Sequence, residues 1–170
     1  MIYAEIIGVT GIGSIRPGAD LGDLIVSRIP LVDGDVVVIS AETANEVQRA
    51  PQDPDAAARQ IRDRIAELRG VKVAVVLSEA ETRTSRRGSV GIGVGAAGIS
   101  ALREVRARVT GEAPNRLVAD VDAVAAAAEL IKGAASATPA AVIRGLSYYV
   151  DDEGASQLAQ PASEQSGGQA

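Results

Sequence analysis

The chain has 170 residues, 46% of them hydrophobic, with 22 acidic and 17 basic side chains and a net charge of −5. These values predict one domain, or at most two small intertwined lobes, and exclude global disorder. Histidine and cysteine are absent, which excludes a Ser-His-Asp triad, a cysteine nucleophile, a disulfide and the usual zinc site, so any bound metal needs oxygen ligands.

The first fifty residues predict two strands around a short helix. Residues 1–9 alternate weakly in hydropathy, as a strand does, and Asp20 is placed to cap a helix over residues 21–28. Residues 36–39 form a β-branched run, which predicts a buried strand. Residues 41–52 are polar and aperiodic, and we expect a loop there.

The clearest helix of the sequence begins at Pro54, a proline at the first helical position. Asp53 is suited to be its N-cap, and Gly70 ends it. Residues 72–77 predict a second buried strand. Residues 78–89 are polar and rich in arginine, which indicates a loop after that strand.

The remaining elements are less sharply marked. Residues 90–99 are apolar and rich in glycine, and residues 99–109 fit either a helix or a strand. Residues 116–121 predict a strand. Asp122 is then placed to cap an alanine-rich helix over residues 123–132.

The end of the chain differs in composition from the rest. Residues 140–143 predict a last strand, and we expect one domain over residues 1–150. From residue 151 onward there is no lysine or arginine, and the sequence closes on small and polar residues. We therefore expect residues 151–170 to form a mostly flexible tail.

The glycine-rich segment contains the spacing of a dinucleotide fingerprint. Gly93, Gly95 and Gly98 fit it, and Asp120 follows at about the required distance. The fingerprint needs a strand directly before the glycines, whereas here a long polar stretch precedes them. The alternative is that the glycines let this segment pack closely against another backbone.

The arginine-rich stretch is a candidate site for an anion. Arg83, Ser85, Arg86 and Arg87 lie beyond a predicted buried strand, and ligands in α/β folds often bind beyond such strand ends. Guanidinium groups are fork-shaped donors that suit phosphate or carboxylate. The alternative is a solvated loop in which the arginines pair with nearby acidic side chains.

Carboxylates follow two of the predicted strands. Glu79 and Glu81 come after one, and Asp120 and Asp122 after another. If these strand ends adjoin, Glu79 and Asp122 could hold Mg²⁺ or Mn²⁺. For Asp122 the role of helix N-cap is a strong rival.

The two lysines give little indication of chemistry. Lys72 begins a strand, and Lys132 ends a helix, where its charge complements the helix dipole. Neither looks catalytic on its own.

Several stretches occur in the order found in one family. They are Gly13-Ser-Ile-Arg16-Pro17-Gly18, Asp33-Gly34-Asp35, Asp53-Pro54-Asp55, Val75-Val-Leu-Ser78, Arg86-Arg87-Gly88, Gly95-Ala-Ala-Gly98 and Arg144-Gly145-Leu146. By these motifs the chain resembles the coenzyme F-420-0:L-glutamate ligases, the γ-glutamyl ligases of deazaflavin coenzyme biosynthesis. The resemblance extends to about Leu158, and it implies an α/β fold with a mixed sheet and flanking helices, in a shortened form.

The resemblance also implies an activity. Family members carry out a GTP-dependent ligation, in which a carboxylate is phosphorylated and the amino group of glutamate then displaces the phosphate. It implies an intertwined homodimer with Mg²⁺ or Mn²⁺ beside the nucleotide phosphates. The corresponding positions here are Glu79 and Asp122 for the metal, and Arg83, Ser85, Arg86 and Arg87 for the phosphates.

The chain departs from the family in ways that bear on activity. After the strand at residues 36–39 the family carries a Ser-Lys-Ala-Glu-Gly segment and, later, an Ala-Asn-Ala-Gly-Val-Asp motif that binds metal. Here Ser40-Ala-Glu-Thr-Ala-Asn45 runs almost directly into Asp53, so one or both are missing. Glu79 replaces a metal-binding Asp and is longer by a methylene. The alternative is thus a non-catalytic member: a dimeric scaffold, or a subunit that pairs with a full-length ligase or a reductase.

The sequence also bears on location and on other partners. No apolar run reaches membrane-spanning length, and no basic region followed by an apolar stretch opens the chain. Aromatic residues make up 2% of the chain, which leaves little for base stacking. We expect a cytoplasmic protein that binds neither nucleic acid nor membrane.

Overall fold

A computed structural model describes residues 3–12, 15–47, 53–85, 87–105, 116–132 and 138–159 of the chain. Among these residues none of the helices combines the length and the apolar character that crossing a bilayer requires. The elements of the described ranges are β1 (Glu5–Val9), α1 (Leu21–Val26), β2 (Val36–Ser40), α2 (Ala41–Val47), α3 (Pro54–Arg69), β3 (Ala74–Thr82), β4 (Ser89–Ala97), β5 (Leu102–Val105), β6 (Arg116–Ala119), α4 (Asp120–Ala128), β7 (Ala140–Arg144) and a short 3-10 helix (Ala155–Leu158).

The strands form a mixed sheet, as the resemblance implied. Its order is β1-β7-β2-β3-β4, and β5 pairs with β6 in a separate two-stranded ribbon. β2 and β3 run parallel, whereas the β1–β7, β7–β2 and β3–β4 pairs are antiparallel. The predicted α/β fold with flanking helices is confirmed.

Helices cover both faces of this sheet. On one face Val37 and Ile39 of β2 pack with residues of α1 and α3, and on the other Val36 and Val38 pack with residues of α4. All four of these side chains are buried. That is why the sequence of β2 is a continuous β-branched run rather than an alternation.

Helix α3 begins and ends where its sequence predicted. Asp53 accepts a hydrogen bond from the Asp55 backbone N–H at 3.0 Å, and Pro54 is the first helical residue. Ile61 and Ile65 are buried on its inner face. Gly70 stops the helix in the left-handed conformation, with a φ of 68°.

The segment expected to be a loop contains a helix. Residues 41–47 form α2, which follows β2 without a break. Ala41 and Ala44 are buried in the core beside β2, one turn apart. Two alanines among polar neighbours form too weak an apolar face to predict a helix from the sequence. The helix is stabilised by its contact with the core.

The glycine-rich segment is a strand. Ser89–Ala97 pairs with β3 in antiparallel register. Residues 99–109 were expected to be either a helix or a strand, and within their described part Leu102–Val105 is a strand. Glycine disfavours a strand intrinsically. Here the pairing with β3 and the close cover by helices override that preference.

A buried carboxylate joins α3, β4 and the C-terminal segment. Asp55 is 4% exposed. Its Oδ1 accepts hydrogen bonds from the Ala96 N–H at 2.8 Å and the Ala155 N–H at 2.7 Å, and its Oδ2 accepts one from the Ser156 N–H at 3.2 Å. A single side chain therefore satisfies three backbone donors from two distant segments.

The C-terminal segment is docked on the domain through residue 159. Asp152 accepts a hydrogen bond from the Gly98 N–H at 2.8 Å and forms an ion pair with Arg62. Residues 151–159, which we expected to begin a flexible tail, are thus held by specific contacts. Residues 160–170 lie outside the described part, and for them the flexible tail stays a prediction.

A second buried carboxylate lies at the start of β2. Asp35 is fully buried, and Arg144 donates to both of its oxygens at 2.8 Å. Asp35 Oδ2 also accepts a hydrogen bond from the Val32 N–H at 2.9 Å. The hydrogen bond to Asp35 raises the pKa of Arg144, so the guanidinium group stays charged across the accessible pH range.

Tyr148 makes folding stability depend on pH in the alkaline range. Burial raises the pKa of Tyr148 above its usual value of 10.0, and the charge of Asp35 raises it further. The folded state then keeps the phenolic proton to higher pH than the unfolded chain does. The contribution of Tyr148 to the free energy of unfolding is therefore fully present below about pH 10, and it is lost as the pH rises through the pKa of the folded state. Urea midpoints measured from pH 9 to 12 should fall, and Tyr148→Phe should lose less over the same range; an equal fall in both proteins would show that other groups are responsible.

Candidate functional site

The arginine loop, defined as residues 83–88, lies at the tip of the β3–β4 hairpin. Thr82 and Ser89 are paired at its base. The four residues of β3 that lead to it, from Glu79 onward, are exposed, whereas the preceding five are buried. The hairpin therefore projects beyond the core and carries the loop into solvent.

The arginine side chains of the loop have no acidic partner within the described residues. Arg83, Ser85 and Arg87 are exposed, and no ion pair joins either arginine to Glu79 or Glu81. Arg86 lies outside the described residues. Among the described residues, then, the exposed guanidinium groups of Arg83 and Arg87 form no ion pair with a neighbouring acid.

The two predicted metal ligands point away from each other. Gly93 of β4 faces α4, since a Cβ built on it would lie 2.0 Å from a side-chain atom of that helix. Ser78 pairs with Gly93 and shares its face, so the next residue, Glu79, points to the opposite face of the hairpin. Asp122 lies in α4. The structure does not bring Glu79 and Asp122 together.

Asp122 has a structural role inside its helix. Its Oδ1 accepts a hydrogen bond from the Gly93 N–H at 2.9 Å, which ties α4 to β4. The predicted N-cap role is wrong, because the helix begins earlier, with Ala119 at the N-cap position and Asp120 as its first residue. Asp120 in turn binds Arg103 through two hydrogen bonds of 2.6 and 2.9 Å, which raise the pKa of that arginine.

The described residues do not fit a divalent metal by themselves. Across those ranges no group of three or more acidic, histidine or cysteine side chains is placed to hold an ion. Mg²⁺ and Mn²⁺ need several oxygen ligands around one point. Glu79 and Asp122 could contribute to a metal centre only if further ligands, from outside the described residues, joined one of them.

The dinucleotide fingerprint lacks its required context. Gly93 and Gly95 lie inside a strand rather than at the turn between a strand and a helix. A Cβ on Gly93 would collide with Val121 of α4, and one on Gly95 would lie 2.4 Å from the Pro54 carbonyl oxygen of α3. Close approach of helices on two sides explains these glycines, as the alternative interpretation predicted.

A buried lysine lies at the base of the hairpin. The Lys132 side chain is 3% exposed, and its Nζ donates to the Ser78 hydroxyl and, at 2.8 Å, to Glu129 Oε1. Ser78 is itself buried. Sequence reasoning missed this cluster, because it placed Lys132 at the end of a helix and assigned its charge to the helix dipole, whereas the helix ends at Ala128.

A signal for that burial is present in the sequence. Lys132 follows the buried residues Val121, Ala125 and Ala128 by eleven, seven and four positions. In a helix those spacings fall on one face. The helix predicted over residues 123–132 would therefore place the lysine on its inward face, where the ammonium group needs polar partners. The observed α4 ends at Ala128, and Lys132 follows in the turn beyond it, where its backbone N–H still donates to the Ala128 carbonyl oxygen at 2.9 Å.

Comparisons with known proteins give one consistent result. The family model described as F420-0:Gamma-glutamyl ligase matches residues 41–145. The chain is 41% identical over 100 residues to the coenzyme F420:L-glutamate ligase of Methanopyrus kandleri, which is 56% of this chain and 40% of the relative. It is 40% identical over 112 residues to the ligase of the same name from Haloarcula marismortui, covering 64% and 43%. The chain spans less than half the length of these curated relatives.

Proposed function

Because the chain belongs to the F420-0:gamma-glutamyl ligase family, we propose that it acts in coenzyme F420 biosynthesis as a γ-glutamyl ligase-like protein that binds GTP phosphates through the arginine loop. The observation that carries the proposal is the pair of exposed guanidinium groups, Arg83 and Arg87, which stand on a projecting hairpin without an acidic partner among the described residues. Both lie inside the range that the family model matches.

The chemistry of the loop suits a polyphosphate better than a carboxylate. Three arginines and three hydroxyl groups stand within residues 83–89. Several donors of positive charge in so short a segment match the several negative oxygens of a triphosphate, and each guanidinium can bind two oxygens at once. In a chain with a net charge of −5, this local positive charge also attracts an anion to one place.

A second candidate function is that of a non-catalytic subunit. It is favoured by the scattered carboxylates, since Glu79 and Asp122 lie on different faces and Asp122 is bonded to Gly93. On this proposal the chain binds ligand as a dimer, or pairs with a full-length ligase or a reductase that supplies the missing metal ligands. Ligation would then need the partner.

Nucleotide binding is tested by thermal unfolding with GTP, GDP, ATP and NAD⁺, each with and without Mn²⁺. A ligand at one hundred times its Kd stabilises the fold by about 2.7 kcal/mol, which for this size is a rise in Tm of roughly 5–10 °C. Arg83→Ala should weaken GTP binding about tenfold or more, as for a lost charged hydrogen bond. Arg116→Ala, an exposed arginine on β6 outside the loop, is the matched control.

Each outcome has a distinct meaning. A shift with guanine nucleotides that depends on Mn²⁺ supports the ligase proposal and requires metal ligands beyond the described residues. A GTP shift without release of phosphate in the presence of glutamate and an F420-0 acceptor supports the binding subunit. The absence of any nucleotide shift would falsify the proposed role of the loop.

A further inference from the structure

The buried charge of Lys132 is not explained by stability. Burying an ammonium group is costly, and replacing a buried ion pair by apolar side chains is often neutral or stabilising. Its acidic partner, Glu129, keeps 34% of its side chain exposed and could pair with a surface lysine equally well. The contact that requires the burial is the one with the Ser78 hydroxyl, inside the fold.

Ser78 lies at the point where the hairpin leaves the core. The β3–β4 register shifts between Leu77 and Ser78, because β4 contains an extra residue there. Such bulges bend a strand and change the direction of the residues beyond them. From Glu79 to Thr82 β3 is exposed, so the direction of the hairpin depends on how Ser78 is held.

We infer that Lys132 is a positioning residue for the arginine loop. Its Nζ ties the turn after α4 to Ser78 and so fixes the direction in which the hairpin presents Arg83 and Arg87 to a phosphate. The inference rests on the proposed function, because it assigns the loop a ligand. Lys132 touches no ligand itself and acts through the hairpin.

A double-mutant cycle tests the inference, with GTP binding measured by calorimetry. Lys132→Met replaces the ammonium group with an unbranched apolar side chain one heavy atom shorter and should weaken binding about tenfold. In an Arg83→Ala background the same change should weaken binding by about threefold or less, because one of the two guanidinium groups that it positions is gone. Lys72→Met removes the same charge from an exposed site and should leave the affinity unchanged.

A structural role alone would give a different pattern. If Lys132→Met lowers Tm but leaves GTP affinity unchanged, or if its effect is undiminished in the Arg83→Ala background, the inference is overturned. If Arg83→Ala itself leaves GTP affinity unchanged, it is the proposed function that fails. Should Lys132→Met not fold, Ser78→Ala removes the same contact from the other side with a small side chain, and the same two outcomes apply.

Discussion

Asp55→Ala is expected to cost roughly 4 kcal/mol of folding free energy, because each buried donor left without a partner costs about 1–3 kcal/mol. The substitution leaves two buried N–H groups, those of Ala96 and Ala155, without a partner, and it removes the longer bond to the exposed residue Ser156. For a domain of this size the loss corresponds to a fall in Tm of about 10 °C. Urea unfolding followed by circular dichroism measures the free energy directly.

The matched control is Asp63→Ala on the same helix. Asp63 keeps 62% of its side chain exposed and pairs with Arg62 at the surface, so its removal should cost about 1 kcal/mol or less. Asp55→Asn keeps one acceptor oxygen, so its loss of folding free energy should lie between those of Asp55→Ala and Asp63→Ala. Equal losses for Asp55→Ala and Asp63→Ala would mean that the bonds of the buried carboxylate contribute little.

Arg144→Ala is expected to cost about 3–5 kcal/mol, the usual effect of leaving a buried charge without its partner. Asp35 is fully buried and would keep the hydrogen bond from the Val32 N–H. The exposed pair of Arg64 and Asp20 provides the comparison, since its arginine keeps 42% of its side chain exposed. Arg64→Ala should cost about 1 kcal/mol or less.

The effect of the unpaired charge of Asp35 on stability can be measured separately from the effect of the lost contacts of Arg144. Adding Asp35→Asn to Arg144→Ala neutralises the stranded carboxylate, and the double variant should be more stable than Arg144→Ala alone. Chemical denaturation of the four proteins in this cycle gives the coupling. Purely additive losses would contradict a strong ion pair.

The parts of the fold that were predicted correctly have strong local signals. Helix α3 has a capping Asp, a proline at its first position and a glycine at its end, and β2 is a run of β-branched residues. Helix α2 and strand β4 have weak or contrary local signals. Their structure depends on contacts with distant elements, which a single sequence does not display.

The candidate site also has one part that could be predicted from the sequence and other parts that could not. That the arginine loop follows a buried strand could be predicted from order along the chain. The sequence could not predict on which face of the hairpin Glu79 and Asp122 lie, because that depends on the β3–β4 register and on where α4 packs. The contact between Lys132 and Ser78 spans 54 residues, and the sequence signal for burial of the lysine is its helical spacing from buried residues of α4.

The carboxylates beside β4 also limit how chains can associate. Within the described residues β4 is the outermost strand on its side of the sheet, and an unprotected outer strand offers its free N–H groups to any other extended chain. Here Asp122 and Asp55 accept from the N–H groups of Gly93 and Ala96. Two donors of the strand are therefore already occupied, and β4 has fewer free N–H groups to offer to another extended chain.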